Sequence, residues 1–546
     1  MDSANIAARF SKNAAACPEQ TALIVLTPDN NAQRYTYKQL EESSNACAAG
    51  LLKAGVGKGM RVVLMVMPGL DFFSLAFALF KLGAVLVGVD PGMGVRNLGK
   101  CLAEAEPAAF IGNRKAHMAR RLLGWARQTL HIKITTERLP LQGSIIGLDR
   151  IRSMAAGVQT PLIETRDDDM AAILFTSGST GVPKGAVYSH ANFNAQVAAL
   201  EKTFAIKPGE IDLATFPLFA LFAPVMGMTS IIPAMDFTRP GSVDPEGIIN
   251  AVNSYGATSM FGSPALLNRV GVWGEQRGIK LSGLKRVLSA GAPVAPVVLE
   301  RFARLLQPGT QIHTPYGATE SLPVSSIGSD EVLMQARALT DQGKGICVGT
   351  AVAGIDLRII RITDTAVPNW SDDLELKAGQ IGEIVVRGAQ VTGSYYNREA
   401  STRLAKIHVP GNGFYHRMGD LGYLDEQGRL WFCGRKSQRV TTAAGELYTI
   451  PCEAVFNTHP KVYRTALVGV ARDNQTIPVL CVEAEQQVGK SEYPVIKNEL
   501  LESGGKHPHT AMIRHLLFHK GFPVDIRHNA KINRERLAAW AAKRLP

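Results

Sequence analysis

With 546 residues the chain is too long for a single hydrophobic core and divides into two or more domains. Hydrophobic residues make up 46% and charged residues 19%, the balance of a globular protein with ample core material. The net charge of +12 is uneven: residues 501–546 hold nine Lys and Arg against three Asp and Glu, half of the excess. Such a basic end suits an anionic membrane surface, an anionic substrate under a cationic lid, or a plain solvated face; no nucleic-acid motif accompanies it, so no nucleic-acid partner is expected. The cysteines (Cys17, Cys47, Cys101, Cys347, Cys433, Cys452, Cys481) are scattered, with no C-x-x-C and no histidine at ligand spacing. They read as thiols of a reducing compartment without structural metal. The first residues lack the basic and apolar regions of a signal peptide, and the expected location is the cytoplasm.

In chain order, Tyr35-Thr36-Tyr37 is a β-prone run, and from Lys38 a helical pattern continues through Leu51 to a stop at Gly55. Residues 62–67 read as a strand, 72–82 as a helix and 84–89 as a strand. This alternation predicts a doubly wound, mixed or parallel sheet. The apolar run 72–89 is nearly long enough to span a bilayer, but Lys81-Leu82-Gly83 interrupts it where strand should follow helix.

Residues 171–175 form a short apolar strand, followed by Thr176, Ser177, Gly178, Ser179, Thr180, Gly181, Pro183, Lys184 and Gly185. Small hydroxyl and glycine residues let N–H and O–H groups converge on phosphate oxygens, and Lys184 adds a cation. The run is not a Walker loop, because Pro183 would stand at its second glycine and Gly185 at its final hydroxyl. A flexible linker has a similar composition, but it does not usually fix Pro-Lys-Gly between two apolar segments. The next long apolar run, 216–233, is broken by Pro217, Pro224, Gly227 and Pro233; it predicts a pocket wall and a following core helix, with a membrane-surface contact as the weaker alternative.

At 287–293 a strand runs into the turn Gly291-Ala292-Pro293. Tyr316-Gly317-Ala318-Thr319-Glu320 combines an aromatic able to stack on adenine, a glycine admitting close approach, a hydroxyl for the α-phosphate and a carboxylate suited to Mg²⁺. Further on come Gly393-Ser394-Tyr395-Tyr396, the run 416–423 around Asp420, and Trp431-Phe432-Cys433-Gly434-Arg435-Lys436.

T-S-G-S-T-G-x-P-K-G, with the later motifs in the same order, resembles the adenylate-forming superfamily of acyl-CoA synthetases, peptide adenylation domains and luciferases over nearly the whole chain. The resemblance implies an α/β fold: a large N-terminal domain (1–434) of doubly wound sheets with a small β-rich subdomain, then a small mobile α+β domain (435–546) after a hinge near Arg435. It implies ATP and Mg²⁺ as cofactors. Gly291, Ala292 and Pro293 would wall the adenine site, Asp420 would accept from the ribose hydroxyls, and Arg435 would contact ribose and phosphates. Lys531 would swing over the α-phosphate and form the catalytic set with Thr176 and Glu320, although Ala530 stands where that family usually has glycine. The superfamily's substrate-gating loop falls on Phe219, Ala220 and Phe222, with Ala220 where a histidine is usual, which implies a long-chain acid as substrate, although core packing explains the same residues without a ligand.

The acyl-CoA ligases carry Gly-Arg-x-Asp-Asp-x-Ile-Lys-x-Arg-Gly beyond the hinge; here Ser437, Gln438 and Thr441 replace the aspartates and the lysine, and Gly445 comes late. At these departures the chain resembles one branch, the β-lactone synthetases of bacterial long-chain olefin biosynthesis. That resemblance implies activation of a long-chain 2-alkyl-3-hydroxy acid and intramolecular closure to a β-lactone. Three alternatives stay open from the sequence: a fatty acyl-CoA or acyl-AMP ligase, an amino-acid-activating synthetase, and a non-enzymatic nucleotide sensor. A weak association with a membrane surface or a pathway enzyme is also compatible with the basic end, and no interface between copies is legible.

Overall fold

The computed structural model describes residues 4–29, 31–137, 144–156, 162–176, 183–524 and 532–545. Its frame is a pair of large sheets. In the seven-stranded sheet Ala109–Gly112, Arg61–Met65, Val85–Gly88 and Met170–Phe175 run parallel, and Gly185–Ser189 closes one edge antiparallel to Met170–Phe175. In the nine-stranded sheet Thr21–Leu26, Thr229–Ile232, Ile211–Ala214, Ser259–Phe261, Arg286–Leu288 and Gln311–Ala318 are parallel, with antiparallel strands at both edges.

Alternation along the strands decides which layer each side chain joins. Val62, Leu86 and Ala172 face one core; their chain neighbours Val63, Val87 and Ile173 face another. The first core also takes Leu23, Ala214 and Ile232 from the second sheet, so it lies between the sheets. Helices Ile6–Ala16, Tyr37–Lys53 and Leu70–Lys81 fill that layer. Val95–Ala105 covers the outer face of the first sheet, and Pro245–Tyr255, Pro264–Gln276 and Pro296–Ala303 cover that of the second. Helices on both faces of largely parallel sheets are the doubly wound arrangement expected from the alternation at 62–89.

Helix Tyr37–Lys53 starts at a capping box between Thr36 and Gln39, so the β-prone run ends at Thr36 and Tyr37 already belongs to the helix. Helix Leu70–Lys81 is apolar all round, as a helix enclosed between two sheets must be, and every residue from Phe72 to Lys81 is buried. Its one buried cation is neutralised locally: Lys81 Nζ pairs with Glu41 at 2.8 Å and donates to Ser44 Oγ at 2.8 Å and Asn45 Oδ1 at 2.5 Å. The strands expected at 62–67 and 84–89 are the shorter Arg61–Met65 and Val85–Gly88.

The run 216–233 departs further from expectation. It forms two short helical turns, Pro217–Ala220 and Phe222–Val225, and then strand Thr229–Ile232 where a core helix was expected. Pro224 and Gly227 stop helical propagation, and Thr-Ser-Ile-Ile supplies β-branched residues for the slot between Thr21–Leu26 and Ile211–Ala214. Among the described residues no helix is long and apolar enough to cross a membrane.

Beyond the large sheets lies a six-stranded antiparallel sheet built around Gly382–Arg387, Phe414–Leu424 and Leu430–Arg435. The last hundred residues pack on their own apolar clusters around the three-stranded sheet Val462–Arg472, Gln475–Ala484 and His515–Phe518. Those clusters hold buried residues from Val440 onward.

Candidate active site

The elements converge on a cavity of about 1390 Å³. Phe175 pairs with Gly185 across the antiparallel strands, which fixes the ends of the glycine- and hydroxyl-rich loop. Thr176 N–H donates to Lys184 O at 2.9 Å, and Lys184 N–H donates to Thr176 Oγ1 at 3.3 Å. Both residues line the cavity, and Lys184 Nζ stands 5.1 Å from the centre of the Tyr395 ring. Ser177, Gly178, Ser179, Thr180 and Gly181 lie outside the described residues, as does Lys531.

The Tyr316–Glu320 segment spans the end of strand Gln311–Ala318 and its turn into Ser321–Gly328. Gly317 is required there, since a Cβ would sit 2.6 Å from Ser321 O. Tyr316 Oη donates to Asp420 Oδ2 at 2.7 Å, and Arg435 Nη1 pairs with Asp420 Oδ1 at 3.0 Å. Asp420 lies within strand Phe414–Leu424. Gly419 before it has φ of 66°, and the ladder to Gly382–Arg387 shifts register between Glu383 and Val385, which breaks the regular pleat beside the carboxylate. Asp420 and Arg435 are direct cross-strand partners. Burial pushes the Asp420 carboxyl up from its ordinary value, while the Arg435 charge and the Tyr316 hydrogen bond pull it down. Burial, then the Asp420 charge, raises the Tyr316 phenol. Gly291, Ala292 and Pro293 line the same cavity.

Glu320 is held from two sides. Tyr395 Oη donates to Glu320 Oε1 at 2.5 Å, and Glu320 O accepts from Thr392 N–H at 2.9 Å and Thr392 Oγ1 at 3.2 Å. Tyr188 Oη donates to the adjacent Thr319 O, and Lys406 Nζ donates to Thr392 O. Burial lowers the Lys406 ammonium to about 7, against the opposing pull of the Glu320 charge. Strand Gly185–Ser189 joins the same assembly, because Val187 N–H donates to Ser394 O and Tyr396 N–H to Gly185 O. The short run 392–396 therefore straps the loop's exit strand to Glu320. Sequence reasoning missed Tyr188, Thr392 and Lys406, and it took Tyr395 only as a mark of the small subdomain. A lysine in Arg-Leu-Ala-Lys carries no local signal of burial; only the sheet that folds over it supplies one.

Every described candidate from the sequence lines the cavity except Ala220. Ala220 is fully buried in the core between the sheets, while its neighbours Phe219, Leu221 and Phe222 reach the cavity. The residue standing at the histidine position packs in the core, one layer behind the lining formed by its neighbours. Beyond Arg435, Lys436 Nζ pairs with Glu383 at 3.1 Å, Arg439 pairs with Asp364 at 2.6 Å, and Gln438 accepts from Arg534 Nε at 3.2 Å. Ile532 and Arg534, which follow Lys531 in the chain, line the cavity. Among the described residues no group of three or more His, Cys, Asp or Glu converges as a metal cage.

Two sheets meeting at a cleft beside a small antiparallel sheet are the fold of a solved amide bond synthetase, McbA from Marinactinospora thermotolerans. The two match with a TM-score of 0.79 over 98% of this chain and 99% of that one, at 20% identity. The chain belongs to the AMP-binding enzyme family, whose model matches residues 10–396. Two relatives are similar over nearly their whole length. The olefin beta-lactone synthetase of Xanthomonas campestris pv. campestris is 50% identical over 93% of this chain and 91% of its own. The olefin beta-lactone synthetase of Stenotrophomonas maltophilia is 47% identical over 99% and 98%.

Proposed function

We propose that this enzyme activates a long-chain 2-alkyl-3-hydroxy acid as its acyl-adenylate and closes it to a β-lactone, releasing AMP and pyrophosphate. The observation that carries the reading is the near-half identity to two olefin beta-lactone synthetases over almost the entire chain. In the first step a carboxylate oxygen attacks the α-phosphorus of ATP and pyrophosphate leaves. Two anions must approach, so the loop donors with Lys184, and Lys531, supply positive charge at the phosphates. Tyr316, Asp420 and Arg435 form the nucleoside recess, and Thr176, Glu320 and Lys531 the catalytic set.

Glu320 is the residue that would hold Mg²⁺, in keeping with an ion that keeps few protein ligands and completes its shell from phosphates and water. When bound, it neutralises charge on the phosphates. Tyr395 aims the Glu320 carboxylate, and the Thr392 bonds fix its backbone. In the second step the 3-hydroxyl oxygen attacks the acyl carbon, its proton is lost, and AMP departs. The cavity walls hold hydroxyl and carbonyl together and keep water from the adenylate.

We assign residues 1–434 to the ATP and acyl site and 435–546 to a lid. All seven cysteines are free, as suits a cytoplasmic enzyme. The test is direct. With ATP, Mg²⁺ and a long-chain 2-alkyl-3-hydroxy acid, the product is lighter than the acid by one water, and added CoA changes neither rate nor product. The matching acid without its 3-hydroxyl is adenylated and stalls. A CoA thioester from either acid overturns the lactone reading in favour of an acyl-CoA ligase.

A further inference from the structure

The substrate assigned above is branched: hydrocarbon leaves it from C2 and from C3. An unbranched tunnel accepts one arm and forces the other to fold back, so two apolar outlets are required close to the carboxyl. The structure has two apolar compartments on either side of one aromatic wall. The first is the inner end of the main cavity, which enters the layer between the sheets and is lined there by Phe72, Phe77, Phe80, Leu86 and Phe193. The second is a separate chamber of about 80 Å³ under helix His190–Thr203, bounded by Leu200, Phe204, Ile206, Ala223, Met226 and Met228. Phe219, Phe222 and Phe261 line both spaces and form the partition. Phe219 meets Phe261 edge-on at 5.2 Å, and Phe222 lies 6.0 Å from Phe193.

We propose that this aromatic partition is a fork that sends the two hydrocarbon arms of the substrate into different compartments, one into the inner end of the main cavity and one into the chamber below helix His190–Thr203. The proposal rests on the branched acid assigned above. Three features support it. Phe193, Gln196 and Leu200 fall at i, i+3 and i+7 on one helix face; Phe193 lines the main cavity, Leu200 the chamber, and Gln196 both, so the two spaces follow one another along that face. Protein interiors are packed closely enough that voids of this kind are few. Two of the chamber's walls are methionines, whose unbranched chains repack readily around an entering alkyl group. The chamber also contains Asp212 and Ser259, a polar end against which an alkyl chain stops. The chamber therefore measures one arm, and the inner end of the main cavity accommodates the other.

The test uses two series of synthetic acids with ATP and Mg²⁺. One carries a methyl at C2 and a variable chain at C3; the other carries a methyl at C3 and a variable chain at C2. Pyrophosphate release gives kcat/KM for adenylation against chain length. Leu200→Trp, which fills the chamber, is expected to lower kcat/KM at least about tenfold for the long members of one series only. Met226→Ala, which enlarges the chamber, is expected to move the preferred length of that same series upward and leave the other in place. A gain in length cannot come from misfolding, so this variant guards against damage by the tryptophan. Equal losses in both series, no loss in either, or a Met226→Ala shift common to both overturns the fork. Because the readout is adenylation, the two readings fail separately. Series that split without lactone product sink the second chemical step alone, and lactone formed with series that do not split sinks the fork alone.

Discussion

Lys406→Met should make the protein more stable at neutral and acidic pH and less stable at high pH. The ammonium lies against the Phe414 ring, 4.6 Å from its centre, and donates to Thr392 O; the facing charge is the Glu320 carboxylate, which favours it, while burial holds the neighbouring His416 neutral. Its lowering from 10.5 to about 7 corresponds to roughly 5 kcal/mol of penalty on the charged form. The sign follows from proton counting. Between the two values the unfolded chain holds the proton and the folded one has lost it, so this group makes stability rise with pH across that window, by about 1.4 kcal/mol per pH unit. Methionine removes the penalty but leaves Thr392 O without its donor, at a cost of about 1–3 kcal/mol. Below pH 7 the variant should therefore gain roughly 2–4 kcal/mol. The gain should shrink through the alkaline range and reverse by about pH 10, where only the lost bond remains. Denaturant unfolding of both proteins at a series of pH values measures this, read where their denaturant slopes agree. A wild-type-to-variant difference that stays constant from about pH 6 to 10 refutes the argument.

Three further outcomes are expected. Lys531→Ala should reduce ATP–pyrophosphate exchange at least about a hundredfold with the fold intact; near-normal exchange removes that lysine from adenylation. Tyr316→Phe takes a hydrogen bond from the buried Asp420 carboxylate, worth about 1.5–3 kcal/mol, and should raise KM for ATP about tenfold or more; an unchanged KM separates that pair from nucleotide binding. Ala220→Trp has no cavity to occupy and should abolish soluble folded protein for every substrate; a folded variant that discriminates by chain length would place Ala220 at the substrate after all.

The sequence was most informative where chemistry is carried by neighbours in the chain. The helical pattern from Lys38 announces helix Tyr37–Lys53, the alternation at 62–89 announces a doubly wound sheet, and Tyr316–Glu320 lies along the cavity as one continuous stretch. It was less informative where pairing between distant strands decides. Thr229–Ile232 is an apolar run whose strand state depends on two neighbours far away in the chain, at 23–25 and 211–213. Asp420 was legible as a carboxylate beside glycine, but its place opposite Arg435 comes from the register of two strands. The support for Glu320 was the least legible part, because Tyr188, the run holding Thr392 and Tyr395, and Lys406 come from three separate segments and meet only when the small sheet folds against the large ones.

The helix Leu70–Lys81 sets a limit on how this enzyme can diversify. Phe77 stacks on Phe10 at 4.1 Å in the layer that joins the sheets, and the same ring lines the cavity. Trimming such a ring to alanine costs about 3–5 kcal/mol, a large part of the 5–15 kcal/mol or so that keeps a typical protein folded. A lineage drifting toward bulkier hydrocarbons along that wall must first accumulate stabilising mutations elsewhere, or depend on the ligand itself to keep the altered protein folded. Met226 and Leu200 line the chamber beneath helix His190–Thr203, where an unbranched methionine repacks more readily than a stacked ring, so descendants that differ in chain preference should carry their substitutions there.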